Sequence, residues 1–180
     1  MALLFPLMEG HISVSIIKIP LIFAKGASHI SLYMTIEEIL QCLPYGPDFL
    51  FVDGLDHIDH NSVRGHYTFN AEMDCYKGHF KKYPVTPGVL LTETMAQIGL
   101  VCLGIYITAD IESCRGRSFA LTSSEVAFRL PVFPGEKVTV ISEKVYFRFG
   151  KLKCKVTLQN KEGKEVCSGT ISGMILKTDA

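Results

Sequence analysis

Hydrophobic and polar positions alternate with a two-residue period over much of the chain. Leu152, Cys154, Val156 and Leu158 are interleaved with lysines and a threonine, the pattern of a half-buried strand. Similar segments run over 119–130, 137–149, 151–159 and 164–176, separated by the Pro131–Gly135 stretch, the Gly150 turn and an Asn160–Gly163 hairpin loop. Upstream, Val63, Gly65, Tyr67 and Phe69 alternate with Ser62, Arg64, His66 and Thr68, and the apolar run 49–55 reads as a short buried strand. Between these strand regions the pattern changes. From Val89 to Ile107 apolar residues fall on every face, with Glu93 and Gln97 the conspicuous exceptions, which predicts a buried helix. Thr86 is placed to cap it and Pro87 to occupy its first position. A transmembrane helix would have adequate length, but an acid and an amide are costly in lipid and the flanking sequence is rich in strands. A shorter helix begins at Thr35, whose spacing to Glu38 makes a capping box with Met34 and Ile39 as a hydrophobic staple. It ends by Leu43, ahead of Pro44, Gly46 and Pro47. The expected architecture is α+β: an antiparallel β-sheet wrapped around one long buried central helix.

Composition narrows the functional classes. The chain has 180 residues, 48% of them hydrophobic and 20% charged, so one domain with a sizeable core is expected and disorder is not. Eighteen basic and eighteen acidic residues balance, which argues against a nucleic-acid binder working through bulk positive charge. Six scattered cysteines without a CxxC pair read as free thiols in a reducing, cytoplasmic setting. Residues 1–33 read separately. Their apolar stretch is broken by Lys18, Pro20, Lys25 and Gly26, too often to span a bilayer, and no signal-peptide pattern is present. Met34 then stands just before the first helix start. Residues 1–33 are therefore expected to be an N-terminal extension outside a domain covering 34–180.

Two polar residues stand out around the central helix. A carboxylate at Glu93 in an apolar setting should favour its neutral form, which can protonate a leaving hydroxyl. His79, in Gly78-His79-Phe80, lies fourteen residues earlier across a proline-rich turn and can act as a base near neutral pH. Gly88, at the helix start, offers an unpaired N–H at the positive end of the helix dipole, where a thioester carbonyl would be polarised. A tight turn would also explain a glycine there. Asp56-His57-Ile58-Asp59-His60 lacks a third group at metal-motif spacing and reads as a polar loop between strands. Lys77, Lys81 and Lys82 beside His79 are either solvated charge or a docking surface for an acidic partner.

These residues also carry a family resemblance. Gly78-His79-Phe80, Pro84–Leu90 and Glu93-Thr-Met-Ala-Gln97, with Leu43-Pro44, Phe49–Asp53 and Phe128–Glu136, resemble the 3-hydroxyacyl-(acyl carrier protein) dehydratases of type II fatty acid synthesis. The resemblance runs from Met34 to the C-terminus and implies the hot dog fold. It implies a lyase in which His79 removes the C2 proton, Glu93 protonates the departing C3 hydroxyl and Gly88 binds the thioester carbonyl. It further implies no metal or organic cofactor and an acyl group carried on the phosphopantetheine arm of acyl carrier protein. Last, it implies a homodimer whose sites each combine His79 and Glu93 from different subunits, with dimers assembling into hexamers. Nucleic-acid binding and stable membrane insertion are not expected.

The chain departs from the family pattern at Tyr45-Gly46, where His-Arg is usual, at Lys81-Lys82, where Pro-Gly is usual, and at Ala127, where a basic residue is common. These departures mark a divergent member. They leave a polyene or other specialised acyl product as a competing pathway to membrane-lipid synthesis. Two other functions fit the fold: an acyl thioesterase using an acid on the same helix, and a non-catalytic acyl-binding scaffold. The intact His79 and Glu93 pair favours dehydration over both.

Overall fold

The computed structural model describes residues 34–108 and 117–177. The expected extension, 1–33, lies outside the described residues. The first described helix, α1 (Ile36–Gln41), forms as its cap predicts. The Thr35 hydroxyl accepts the Glu38 N–H at 3.2 Å, and the Glu38 carboxylate accepts the Thr35 N–H at 2.7 Å. Met34 and Ile39, the expected staple pair, both enter the core.

Of the apolar run 49–55 only Gly54 and Leu55 are strand. Pro47–Phe49 is a 3₁₀ turn, and β1 begins only at Gly54 (Gly54–Ile58). In between, the backbone finds a side chain in place of a neighbouring strand. The Phe51 N–H donates to Gln97 Oε1 and Gln97 Nε2 donates to the Phe49 carbonyl, each at 2.8 Å. A buried backbone group needs some partner, and here the central helix supplies it.

The other strands lie where the sequence places them: β2 (Ser62–Thr68), β3 (Arg117–Phe128), β4 (Lys137–Arg148), β5 (Lys151–Asn160) and β6 (Glu165–Lys177). They form one antiparallel sheet in the order β1-β2-β4-β5-β6-β3. Leu152, Cys154, Val156 and Leu158 all point inward and are fully buried. β3 is an edge strand, and nearly every residue from Leu121 to Phe128 is exposed.

The concave side of the sheet holds the central helix α2 (Gly88–Ile107). By length and composition it could cross a membrane, yet 72% of its most apolar stretch is buried inside the protein. It is the core helix. Its first two turns hold exposed and half-buried residues, and from Thr94 to Ile105 every residue is buried. The middle of α2, Gln97–Cys102, winds as a π-helix. Gly99 lies in that turn against the sheet: a Cβ there would stand 3.0 Å from Ser142 Cβ and 3.0 Å from Val156 Cγ1. The Ser142 hydroxyl donates to the Gly99 carbonyl at 2.7 Å, satisfying a buried acceptor in the widened turn. One helix wrapped by an antiparallel sheet is the hot dog arrangement.

Two local expectations give way. Thr86 does not cap α2: Pro87 is the cap residue, Gly88 the first helical residue, and the Thr86 hydroxyl pairs with the buried Tyr76 phenol at 2.7 Å. Nor are all the cysteines free thiols. Cys75, Cys102, Cys154 and Cys167 are free, whereas Cys42 is disulfide-bonded. Burial pushes the Cys154 thiol up to about 11, and those of Cys102 and Cys167 up to about 12.

Candidate active site

His79 sits on a loop fixed at both ends. At one end a 3₁₀ turn, Asp74–Lys77, buries Tyr76; at the other, Thr86 is buried and its N–H donates to the Val132 carbonyl at 2.7 Å. The Tyr76–Thr86 hydroxyl contact ties the ends together. Inside the loop, the His79 N–H donates to the Cys75 carbonyl at 2.9 Å and the Val85 N–H donates to the His79 carbonyl at 3.0 Å. The His79 ring completes the latch, with Nδ1 2.9 Å from the Val85 carbonyl oxygen. A carbonyl can only accept, so Nδ1 carries the hydrogen and Nε2 of the neutral ring keeps a free lone pair. The Phe80 ring stacks on the imidazole with centroids 4.2 Å apart, and the peptide between the two residues is cis.

Glu93 lies on the second turn of α2. It is half-buried, less enclosed than its all-apolar helix led us to expect. Its Oε1 accepts from Gln97 Nε2 at 2.9 Å. Beyond it lies Tyr45, one of the residues at which the chain departs from the family pattern. Burial, and then the Glu93 carboxylate, raise the Tyr45 phenol above its usual range, so it stays protonated.

Gly88 opens the helix as its first residue, with no side-chain cap on the N-terminal N–H groups. A Cβ at Gly88 would stand 3.1 Å from the Phe128 ring, so part of the need for glycine is steric. Its backbone does not require a left-handed conformation.

Among the described residues no hydrogen bond or ion pair joins His79 to Glu93; each is held by its own partner. Between the turn leading to His79 and the 47–51 segment runs a groove of about 530 Å³. Its apolar lining includes Phe49, Phe51, Tyr67, Met73 and Leu90, and Asp48, Glu72 and Asp74 also line it. Of the three lysines near His79, Lys77 pairs with Asp74 at 2.6 Å, while Lys81 and Lys82 extend into solvent. The 56–60 stretch is split: Asp56 to Ile58 belong to β1, not to a loop. His66 Nδ1 lies 3.0 Å from Asp56, and His57 lies 3.0 Å from Asp59. Among the described residues no group of His, Cys, Asp or Glu is arranged to hold a metal ion.

Sequence reasoning left out Tyr76, Thr86 and Gln97 as site-builders. Gln97 carried a signal, an amide in an otherwise apolar helix, whereas the Tyr76–Thr86 contact has no local signature.

Comparison with known proteins bears on the same residues. Residues 43–169 match the family described as the FabA-like domain. A 3-hydroxyacyl-(acyl-carrier-protein) dehydratase FabZ of Clostridium perfringens is 33% identical over 143 residues, covering 77% of this chain and 96% of that protein. In structure, the chain is similar to the dehydratase heterocomplex ApeI:P from Xenorhabdus doucetiae, with a TM-score of 0.62 at 13% identity over 78% of this chain and 91% of that one. It is also similar to a thioesterase from Haemophilus influenzae, with a TM-score of 0.58 at 12% identity over 82% and 94% of the two chains. At such identities the structural likeness speaks for the fold alone.

Proposed function

The chain belongs to the FabA-like domain family as a divergent, FabZ-like hot dog member, and on that premise we propose that it dehydrates 3-hydroxyacyl-(acyl carrier protein) thioesters to trans-2-enoyl thioesters. The observation that carries the reading is the His79 latch: with Nδ1 spent on the Val85 carbonyl, Nε2 is left as the lone pair that can act as a base. In the proposed step Nε2 takes the C2 proton. The C–H electron pair becomes the C2=C3 double bond, the C3–O bond breaks, and Glu93 delivers a proton so that the hydroxyl leaves as water. The cycle closes when the imidazolium returns a proton to the carboxylate, directly or through water. The Gly88 N–H, at the positive end of α2, would stabilise the charge that develops on the thioester oxygen. Acid, base and backbone donor suffice, so the step as written calls for no metal or organic cofactor.

In this reading each site takes His79 from one subunit and Glu93 from another. Three features of the described residues support a dimer: the two residues are not joined within one chain, β3 pairs on one edge only, and Val89 and Phe128 are exposed beside Gly88. Lys81 and Lys82, next to His79, suit the acidic carrier protein that brings the acyl group.

The test incubates purified protein with a 3-hydroxyacyl carrier protein and follows the acyl arm by mass spectrometry. Loss of water supports the proposal. Release of free acid would make the protein a thioesterase, and an unchanged substrate would make it a scaffold.

A further inference from the structure

Gln97 is fully buried, its carbonyl oxygen holds one hydrogen bond and both hydrogens of its amide nitrogen are engaged. Oε1 accepts the Phe51 N–H at 2.8 Å; Nε2 donates to the Phe49 carbonyl at 2.8 Å and to Glu93 Oε1 at 2.9 Å. The two backbone contacts fix which end of the amide is oxygen and which is nitrogen, since only an acceptor can face Phe51 N–H and only a donor can face Phe49 C=O. The nitrogen therefore has one remaining hydrogen, and it points at Glu93. The side chain cannot rotate to release it without breaking both backbone contacts, one of them to the buried Phe51 N–H. It also stands at the first residue of the π-helical segment of α2, four residues after Glu93.

From this geometry we infer that Gln97 is a positioning residue for the acid: it locks Glu93 Oε1 in one place, turns Oε2 toward the reacting hydroxyl, and ties that orientation to the Phe49–Phe51 wall of the groove. The inference rests on the dehydratase reading of Glu93. It has a functional consequence that a packing role lacks. Movement of the 49–51 segment, which lines the groove where an acyl chain would lie, would be transmitted to the acid through one amide. Groove occupancy and acid placement are then linked.

The test compares Gln97→Met, which keeps the side chain's length without its polar atoms, and Gln97→Glu, which also keeps an acceptor for Phe51, in wild-type and Glu93→Asp backgrounds. In the wild-type background, kcat is expected to fall by about 10- to 100-fold with KM within about threefold. In Glu93→Asp, whose shorter carboxyl no longer meets the amide, the same changes should cost less than about threefold. A folded Gln97 variant with wild-type kcat, or losses that multiply in full across the two backgrounds, would overturn the inference. Should both Gln97 variants fail to fold, the link is read in the Glu93→Asp protein alone, by NMR. The Gln97 side-chain amide signal should move while the Phe51 backbone amide stays in place, and an unmoved amide signal counts against the link. A wild-type protein that does not dehydrate refutes the enzymatic reading instead, and is seen before any variant is made.

Discussion

His79 and Val85 are bonded twice, once through the Val85 N–H to the His79 carbonyl and once through the His79 ring to the Val85 carbonyl. The second contact sets the tautomer and the first holds the backbone that presents the ring. Replacing His79 by alanine removes the base and leaves the backbone half of the latch. Turnover is expected to fall by about 10²- to 10⁴-fold in a steady-state assay, the range typical of a lost general base. The thermal midpoint and the gel-filtration volume should stay those of the wild type. Activity within a few-fold of wild type would remove His79 from the mechanism.

Glu93→Gln keeps the shape of the acid and removes its proton. It is expected to lose turnover on a scale similar to His79→Ala. Mixing the two inactive proteins tests whether sites are shared. After subunit exchange, half of the dimers are mixed and one of their two sites has both residues intact, so about a quarter of wild-type activity should return. No recovery after demonstrated exchange would place both residues of a site on one chain.

Gly88→Ala separates the two reasons for glycine at the helix start. The added Cβ crowds Phe128, an exposed ring with room to turn aside, so the stability cost should stay within about 1 kcal/mol. If a thioester carbonyl must approach the Gly88 N–H, kcat/KM should fall by about tenfold or more. Adding Phe128→Ala should not restore it. Full restoration in the double variant would reduce Gly88 to a steric role.

Ser142→Ala tests what holds the π-helical turn. The serine is fully buried and its hydroxyl is bonded to the Gly99 carbonyl, so removal leaves a buried acceptor without that partner. Urea denaturation should show a loss of about 1–3 kcal/mol. An unchanged midpoint would mean that the turn is satisfied in some other way.

The buried thiols make alkaline stability predictable in sign. Folded Cys102, Cys154 and Cys167 stay protonated well above the unfolded value of 9.0. Below pH 9 their contribution is intact. Above it the unfolded chain ionises first, and stability is lost as pH climbs toward the folded values, at no more than about 1.4 kcal/mol per pH unit for each thiol. Denaturation midpoints measured from pH 7.5 to 10.5 should be flat and then fall, and Cys167→Ala should fall less steeply.

Period-two patterning was enough to locate β2, β4 and β5 because each of those strands buries one face more than the other. It failed at 49–53, where the apolar run is real but Phe49 and Phe51 find their backbone partner in the side chain of Gln97, far along the chain. It failed again at Thr86, whose hydroxyl is drawn to Tyr76 and away from the helix it precedes. Both errors concern polar atoms meeting across long sequence separations, which no local spacing records. The π-helical turn belongs to the same class, since Gly99 and Ser142 define it from different elements. His79, Gly88 and Glu93 stand out in the sequence as a histidine, a glycine and an acid in an apolar neighbourhood, and the proposed site is built on them; the contacts that hold them, from Val85 and Gln97, have no such signature.

Among the described residues β3 pairs with β6 alone, and its other edge presents a row of backbone donors and acceptors, a ready template for another strand. If a second copy takes that place, folding and assembly obey mass action together. Apparent melting temperature and the proposed dehydration rate per subunit would both climb with protein concentration, and dilution alone would switch that activity off without any inhibitor.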